Sequence, residues 1–193
     1  MSELSELERI RLEKLQKMRE QGLDPFPHRF ERTHQTQDAI QALGADEGED
    51  QEIRATVAGR IRSMRHMGKI SFAHIEDGQG MLQLFFRQDE LGEPGFQLLL
   101  DRFDLGDFIG AEGVMFRTRS GEVTLRVESF RMLAKALSPL PAAKEERVGD
   151  ERIVHSAFSD PEGRYRQRYA DLAVNPEVRE IFRTRARVIR SLQ

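Results

Sequence analysis

The chain contains no cysteine, which excludes a disulfide framework and any thiolate metal site. No apolar run approaches the roughly 18 residues needed to span a bilayer. The opening MSELSELERI alternates acidic and apolar residues and lacks the basic, apolar and small-residue order of a secretory leader, so no membrane partner is expected and a cytoplasmic protein is. There is no GxxxxGK[ST] phosphate loop and no G-x-S-x-G elbow. Histidines stand at 28, 34, 66, 74 and 155, and no two share metal-ligand spacing. His66 and His74 read as ordinary strand and loop residues. The pair Glu76-Asp77 falls in an expected turn, where solvation explains it. No catalytic residue, metal site or cofactor is therefore expected within this chain.

What is present is charge and pattern. With 193 residues, 33% charged and 38% hydrophobic, the chain suits one full domain with extra segments. The net charge of −3 argues against indiscriminate polyanion binding but conceals local asymmetry. Acids outnumber bases through residue 50. The run from Ile53 to Phe72 carries Arg54, Arg60, Arg62, Arg65 and Lys69 with no acid, and arginines dominate after residue 151. Such a distribution fits a protein that meets nucleic acid at one site and repels it elsewhere; chance clustering on a mixed surface fits as well.

Periodicity divides the chain. Leu4, Leu7, Ile10, Leu15 and Met18 follow a helical repeat over residues 1–21, with a possible Ser5/Glu8 capping box and a stop at Gly22. Pro25 and Pro27 break the next stretch. A short helix is predicted from Thr36, as N-cap, to Leu43. Residues 44–52 form an acidic loop, expected to be mobile.

At Ile53 the repeat changes to two. Ile53, Ala55, Val57 and Ile61 alternate with polar residues, with Gly59 marking a bulge or bend. Strands follow at 69–77 and 81–86, then a helix over 94–103, then strands near 107–117 and 122–133 joined by a Ser120-Gly121 turn. Strand, strand, strand, helix, strand, strand is the order of an OB-fold, a five-stranded Greek-key barrel with a helix between strands 3 and 4. The expected fold is thus mainly β with flanking helices.

The expected divisions are a helical extension (1–52), the OB-fold barrel (53–136), a linker (137–163) and a last helical segment (164–193). Asn175 is the expected N-cap of the terminal helix, and Val178, Ile181, Phe182, Ile189 and Leu192 form its apolar stripe.

OB-folds hold single strands by stacking bases on aromatic rings and placing cations on phosphates. On the third strand Leu82, Leu84 and Phe86 form the apolar face that suits a core. Gln83 is left outward, where its amide could read a base edge. On the second strand alternation cannot choose whether Phe72 lies in the core or stands exposed as a stacking platform.

Several strings together resemble one family. AGRI (58–61), RSMRHMGKISF (62–72), LQLFF (82–86), DLGDFIGAEG (104–113) and RTRSGEVTL (117–125) are similar, in that order, to the anticodon-binding domain of class II lysyl-tRNA synthetases. KALSPLP (135–141) resembles the family's interdomain linker, and RYRQRYADLAVNPEVREIF (164–182) resembles its entry into the catalytic domain, so that 164–193 is the expected start of a truncated catalytic domain. GLDPFPHRF (22–30) fits as well.

The resemblance implies that Phe72 stacks on an anticodon base, that Gln83 reads the central uridine, that Glu122 reads the first anticodon position and that Arg65 lies near the same bases. Arg60, Arg62 and Lys69 are candidate phosphate contacts. It further implies lysine tRNA as partner, a homodimer for the full-length family, and ATP with magnesium in a catalytic part beyond this chain. The chain is expected to end where the first class-defining motif begins and to be inactive alone. The stretch 142–163 is longer than the family's usual linker. The alternatives are a stand-alone OB-fold module for single-stranded nucleic acid and a protein-binding OB scaffold.

Overall fold

The computed structural model describes residues 4–45, 52–141, 144–148, 151–155 and 158–193. The chain divides into two compact units, residues 1–139 and 140–193.

In the first unit, α1 (Glu6–Glu20) opens with the capping box foreseen between Ser5 and Glu8, and Gly22 follows it at a φ of 74°. Its buried face is Arg11, Leu15 and Met18, whereas Leu4, Leu7 and Ile10 stay exposed. The apolar repeat thus located only part of the face. An arginine completes it because both terminal nitrogens of Arg11 meet backbone carbonyls, of Ala136 and Leu105.

The second helix, α2 (Thr36–Ala45), begins at Thr36 itself, so Thr36 is not its cap. Asp77 accepts from the Thr36 amide at 2.8 Å and from its hydroxyl at 2.7 Å. The carboxylate of a distant turn therefore starts this helix, which no local pattern could announce. Asp77 is 4% exposed, not a solvated turn residue. The acidic loop expected to be mobile lies largely outside the described residues.

Five strands close into a barrel of order β1-β2-β3-β5-β4: β1 (Arg54–Met67), β2 (Ile70–Glu76), β3 (Met81–Arg87), β4 (Phe108–Arg117) and β5 (Val123–Ala134). The β3–β5 pairing is parallel and every other pairing antiparallel. Between β3 and β4 runs α3 (Gln88–Arg102), interrupted at Gly92, whose φ of 70° separates a first turn from the helix that Pro94 opens. This is the OB-fold arrangement. The core consists of inward residues such as Val57, Ile75, Leu84, Ile109 and Leu125, closed by Phe96, Leu99 and Phe103 of α3.

Two irregularities aim the outer face. The bulge in β1 lies at Ile61–Ser63 rather than at Gly59. One extra residue reverses the in-and-out alternation beyond it, so Met64 turns to the core while Ser63 and Arg65 turn outward. Gly59 instead marks a close approach: a Cβ there would stand 3.0 Å from the Glu76 carbonyl oxygen. At a second bulge, Gly113 has no room for a side chain, since a Cβ would fall 1.8 Å from the Arg126 oxygen.

One part of the barrel exterior is covered by the chain itself. Thr33 bonds to Thr56 of β1, and the Phe30 ring fills the space where a Cβ of Gly110 would stand. The outer surface carried by β2 and β3 stays reachable at Phe72, His74 and Phe85, each only half-buried.

The second unit contains an antiparallel hairpin, β6 (Lys144–Val148) with β7 (Glu151–His155). This stretch is charged and poor in periodicity. The available signal was Gly149-Asp150 between two short segments, a two-residue hairpin pattern. Three helices follow: α4 (Pro161–Arg166), α5 (Arg168–Val174) and α6 (Pro176–Leu192). Asp171 is buried and accepts from Arg164, Arg168 and Asn175. Asn175 stands at the N-cap position of α6, but its side chain serves Asp171 and the Phe158 carbonyl instead of capping. On α6, Val178 is buried while Ile181, Phe182, Ile189 and Leu192 are exposed.

Candidate nucleic-acid interface

The side chains of β2 resolve what alternation left open. Ser71, Ala73 and Ile75 point into the barrel, and Phe72 and His74 point out. Phe72 stacks on Phe85 of β3, with ring centroids 4.8 Å apart and planes inclined by 25°. Phe85 in turn meets Phe116 of β4 at 5.9 Å. Arg65, paired opposite Phe72 in the β1–β2 register, carries its guanidinium 5.8 Å from the Phe72 ring centre, within reach of the cation–π attraction. The outer face therefore presents a row of rings with a cation at one end.

Next to this row lies a polar chain. The Ser63 hydroxyl is 2.9 Å from His74 Nδ1, and His74 Nε2 is 2.9 Å from Glu122 Oε1. Gln83 Nε2 donates to Glu122 Oε2 at 2.8 Å, and the Thr124 hydroxyl donates to Gln83 Oε1 at 2.9 Å. Glu122 stands in the β4–β5 turn with its side chain 46% exposed. Gln83 is outward as expected but only 7% exposed, because its neighbours cover it. Rings supply sequence-tolerant stacking, and an amide beside a carboxylate supplies donors and acceptors for base edges. Phe72, Gln83, Glu122 and Arg65 are thus brought together on one surface.

The three candidate phosphate residues are placed differently. Arg60 donates to the Gly106 carbonyl at 3.1 Å and lies 4.3 Å over the Phe108 ring. Burial, and then the charge of Arg62, push its guanidinium below its ordinary value, although an arginine remains a cation at neutral pH. Arg62 pairs with Glu76 at 3.1 Å. Lys69 is exposed in the turn after Gly68, whose φ of 62° suits the first position of a two-residue hairpin.

Residues 55–133 match the tRNA anti-codon family, an OB-fold nucleic acid binding domain. The match spans nearly the whole barrel, from β1 to β5. Over its whole length the chain is also similar to lysine–tRNA ligases. It is 45% identical over 190 residues to that of Pelotomaculum thermopropionicum, covering 98% of this chain and 34% of the relative. The lysine–tRNA ligase of Christiangramia forsetii is 42% identical over 199 residues, covering 100% of this chain and 33% of the relative. That of Carboxydothermus hydrogenoformans is 42% identical over 191 residues, covering 99% and 36%. The chain spans about a third of the length of these relatives. The resemblance to lysyl-tRNA synthetases read from the motifs therefore holds, and it extends beyond the barrel in both directions.

Within the OB-fold, four residues of the cluster escaped the sequence reading. Phe85 alternates with Leu84 and Phe86 and so shares the outward face of Gln83, yet only the register Phe72↔Phe85 reveals the stacked pair. Phe116 reaches the row from β4, across the intervening β5. Ser63 faces outward only because of the β1 bulge. His74, taken for an ordinary strand residue, is bonded through both ring nitrogens.

Proposed function

We propose that this chain is the anticodon-reading part of a lysine–tRNA ligase. The observation that carries the reading is the outward aromatic row Phe72–Phe85–Phe116 lying beside the Gln83–Glu122 pair on an OB-fold surface. Phe72 is the stacking platform for an anticodon base. Gln83 offers its amide to the central uridine and Glu122 its carboxylate to the first position, as the family resemblance implies. Arg65 and the exposed Lys69 are better disposed toward phosphate than Arg60 and Arg62, which are held by Phe108 and Glu76.

The partner in this reading is lysine tRNA. The whole protein attaches lysine to that tRNA at the expense of ATP, with ATP and magnesium held by residues outside this chain, as a cytoplasmic homodimer. Among the described residues no helix is long and apolar enough to cross a membrane.

The test is binding of an anticodon stem-loop with a central uridine against one with a central cytidine, for wild type and Phe72→Ala. The uridine loop should bind more tightly, and Phe72→Ala should weaken both loops. Equal affinity for the two loops together with undiminished binding by the variant would sink the reading. Lysine-dependent ATP–pyrophosphate exchange by the purified chain should be absent.

A further inference from the structure

His74 occupies the middle of the polar chain. The proposed reading of the bases gives it no part. We propose that His74 is a positioning residue for base discrimination: it holds the Glu122 carboxylate and, through it, sets the direction of the Gln83 amide. The inference rests on the anticodon reading of this face and adds a residue to it.

The proton count supports the assignment. An ionised carboxylate only accepts hydrogen bonds, so the 2.9 Å contact to Glu122 Oε1 places the proton on His74 Nε2. In a neutral ring Nδ1 then offers a lone pair, which takes the Ser63 hydroxyl proton at 2.9 Å. In a doubly protonated ring Nδ1–H donates to the same hydroxyl oxygen. Either way Nε2–H points at Glu122, and Ser63 fixes the ring from behind.

The second Glu122 oxygen accepts from Gln83 Nε2 at 2.8 Å, while Gln83 Oε1 takes the Thr124 hydroxyl at 2.9 Å. Turning the amide over would set Oε1 against the carboxylate, which like partial charges forbid. The direction of a nearly buried amide is therefore dictated by a carboxylate that is itself half exposed. Without His74 that carboxylate has one anchor fewer and can swing into water, and the amide loses its fixed orientation. A base approaching Gln83 or Glu122 meets the N–H and the lone pairs that these bonds leave over, and discrimination requires that those groups point one way.

Two near-isosteric substitutions separate this role from packing. A glutamine at 74 places a donor nitrogen where Nε2 stood, and an asparagine places its amide where Nδ1 stood. His74→Gln keeps the bond to Glu122 and gives up Ser63; His74→Asn does the reverse. The experiment measures dissociation constants of the 193-residue chain for the uridine and cytidine stem-loops in wild type, His74→Ala, His74→Gln and His74→Asn.

Losing a hydrogen bond to a charged group should cut the uridine-over-cytidine preference about tenfold in His74→Ala and His74→Asn. Binding of the uridine loop should fall less, because stacking remains. His74→Gln should retain most of the preference. Unchanged preference in all three variants, or equal loss in His74→Gln and His74→Asn, overturns the proposal while leaving the anticodon reading intact. A wild type that does not distinguish the loops overturns both.

Discussion

The β4–β5 hairpin carries a polar cluster at each end, and the two are built from the same bonds to opposite effect. At the turn end, His74, Gln83 and Glu122 are mutually paired at the surface. At the open end, Lys135 is fully buried and spends its three N–H groups on the Arg102 carbonyl, Asp104 and Asp107. Asp107 also accepts from the amides of Asp104 and Ala136, and Lys14 of α1 reaches Asp104 at 2.6 Å.

The carboxyls around Lys135 shift in opposite directions. Burial drives Asp107 up, and Lys135 only partly offsets it. Asp104 is also penalised by burial, but bonds from Lys135 and Lys14 outweigh that and hold it below its ordinary value. Desolvation distinguishes the ends: bonds closed off from water cannot be exchanged without a large cost, whereas bonds beside water can be traded for a ligand.

The largest expected effect is therefore structural. Lys135→Ala leaves two clustered carboxylates with Lys14 as their remaining lysine, and removing one partner of a buried pair costs about 3–5 kcal/mol. Urea unfolding at pH 7 should show a loss in that range. A loss under about 1 kcal/mol would mean that the buried end is as exchangeable as the exposed one.

Second is Phe72→Ala. It should cost about 1–3 kcal/mol in affinity for an anticodon stem-loop and much less in stability, because the ring lies on the outer face. Parallel binding and unfolding measurements decide this. Equal losses in both would make Phe72 a packing residue that only borders a site.

The barrel was legible in the sequence because element order and period depend on local residue choice. Leu82, Leu84 and Phe86 announced the inward face of β3 and are buried there. Phe72 was not legible from periodicity, since Ile70, Phe72 and His74 are as plausible inside as Ser71, Ala73 and Ile75. What decides it is the burial of Ser71, Ala73 and Ile75 inside the closed barrel, a tertiary fact. The resemblance supplied the candidate residues but not their mutual bonds.

Contacts across strands were hidden for the same reason. The Phe72–Phe85 stack needs the register, the Ser63–His74 bond needs the bulge, and the Thr36–Asp77 bond joins residues 41 apart in sequence. The pairing of β6 with β7 was overlooked although the sequence between them reads Gly-Asp, a two-residue hairpin signal.

Third in size is Asp77→Asn, which tests whether a carboxylate in a turn can belong to the buried class. Burial opposes its ionisation, but bonds from the amides of Thr36, Gln79 and Gly80 and from the Thr36 hydroxyl hold its carboxyl below the ordinary value. A depressed acid contributes its full stability above the unfolded value, about pH 3.9, and loses it as pH falls through the lower folded value. Asp77→Asn should cost about 1–2 kcal/mol at pH 7, the scale of a lost helix cap, and the difference from wild type should shrink in acid. A difference independent of pH down to 2 would show that shape rather than charge holds α2 to the turn.

The smallest expected effect is the one that separates the two ends most cleanly. Glu122→Gln removes the charge to which both His74 and Gln83 donate, yet the side chain is 46% exposed. Water can replace either bond, and exposed pairs contribute about 0–1 kcal/mol. Unfolding at pH 7 should therefore move by less than about 1 kcal/mol, even though Glu122 accepts hydrogen bonds from two side chains. Because the recognition groups are already paired with one another beside water, the free domain tolerates the exchange of any one of these bonds. If Glu122→Gln instead destabilised the chain as much as Lys135→Ala, the polar chain on the outer face would be a structural brace, and the ring row alone would be left to meet nucleic acid.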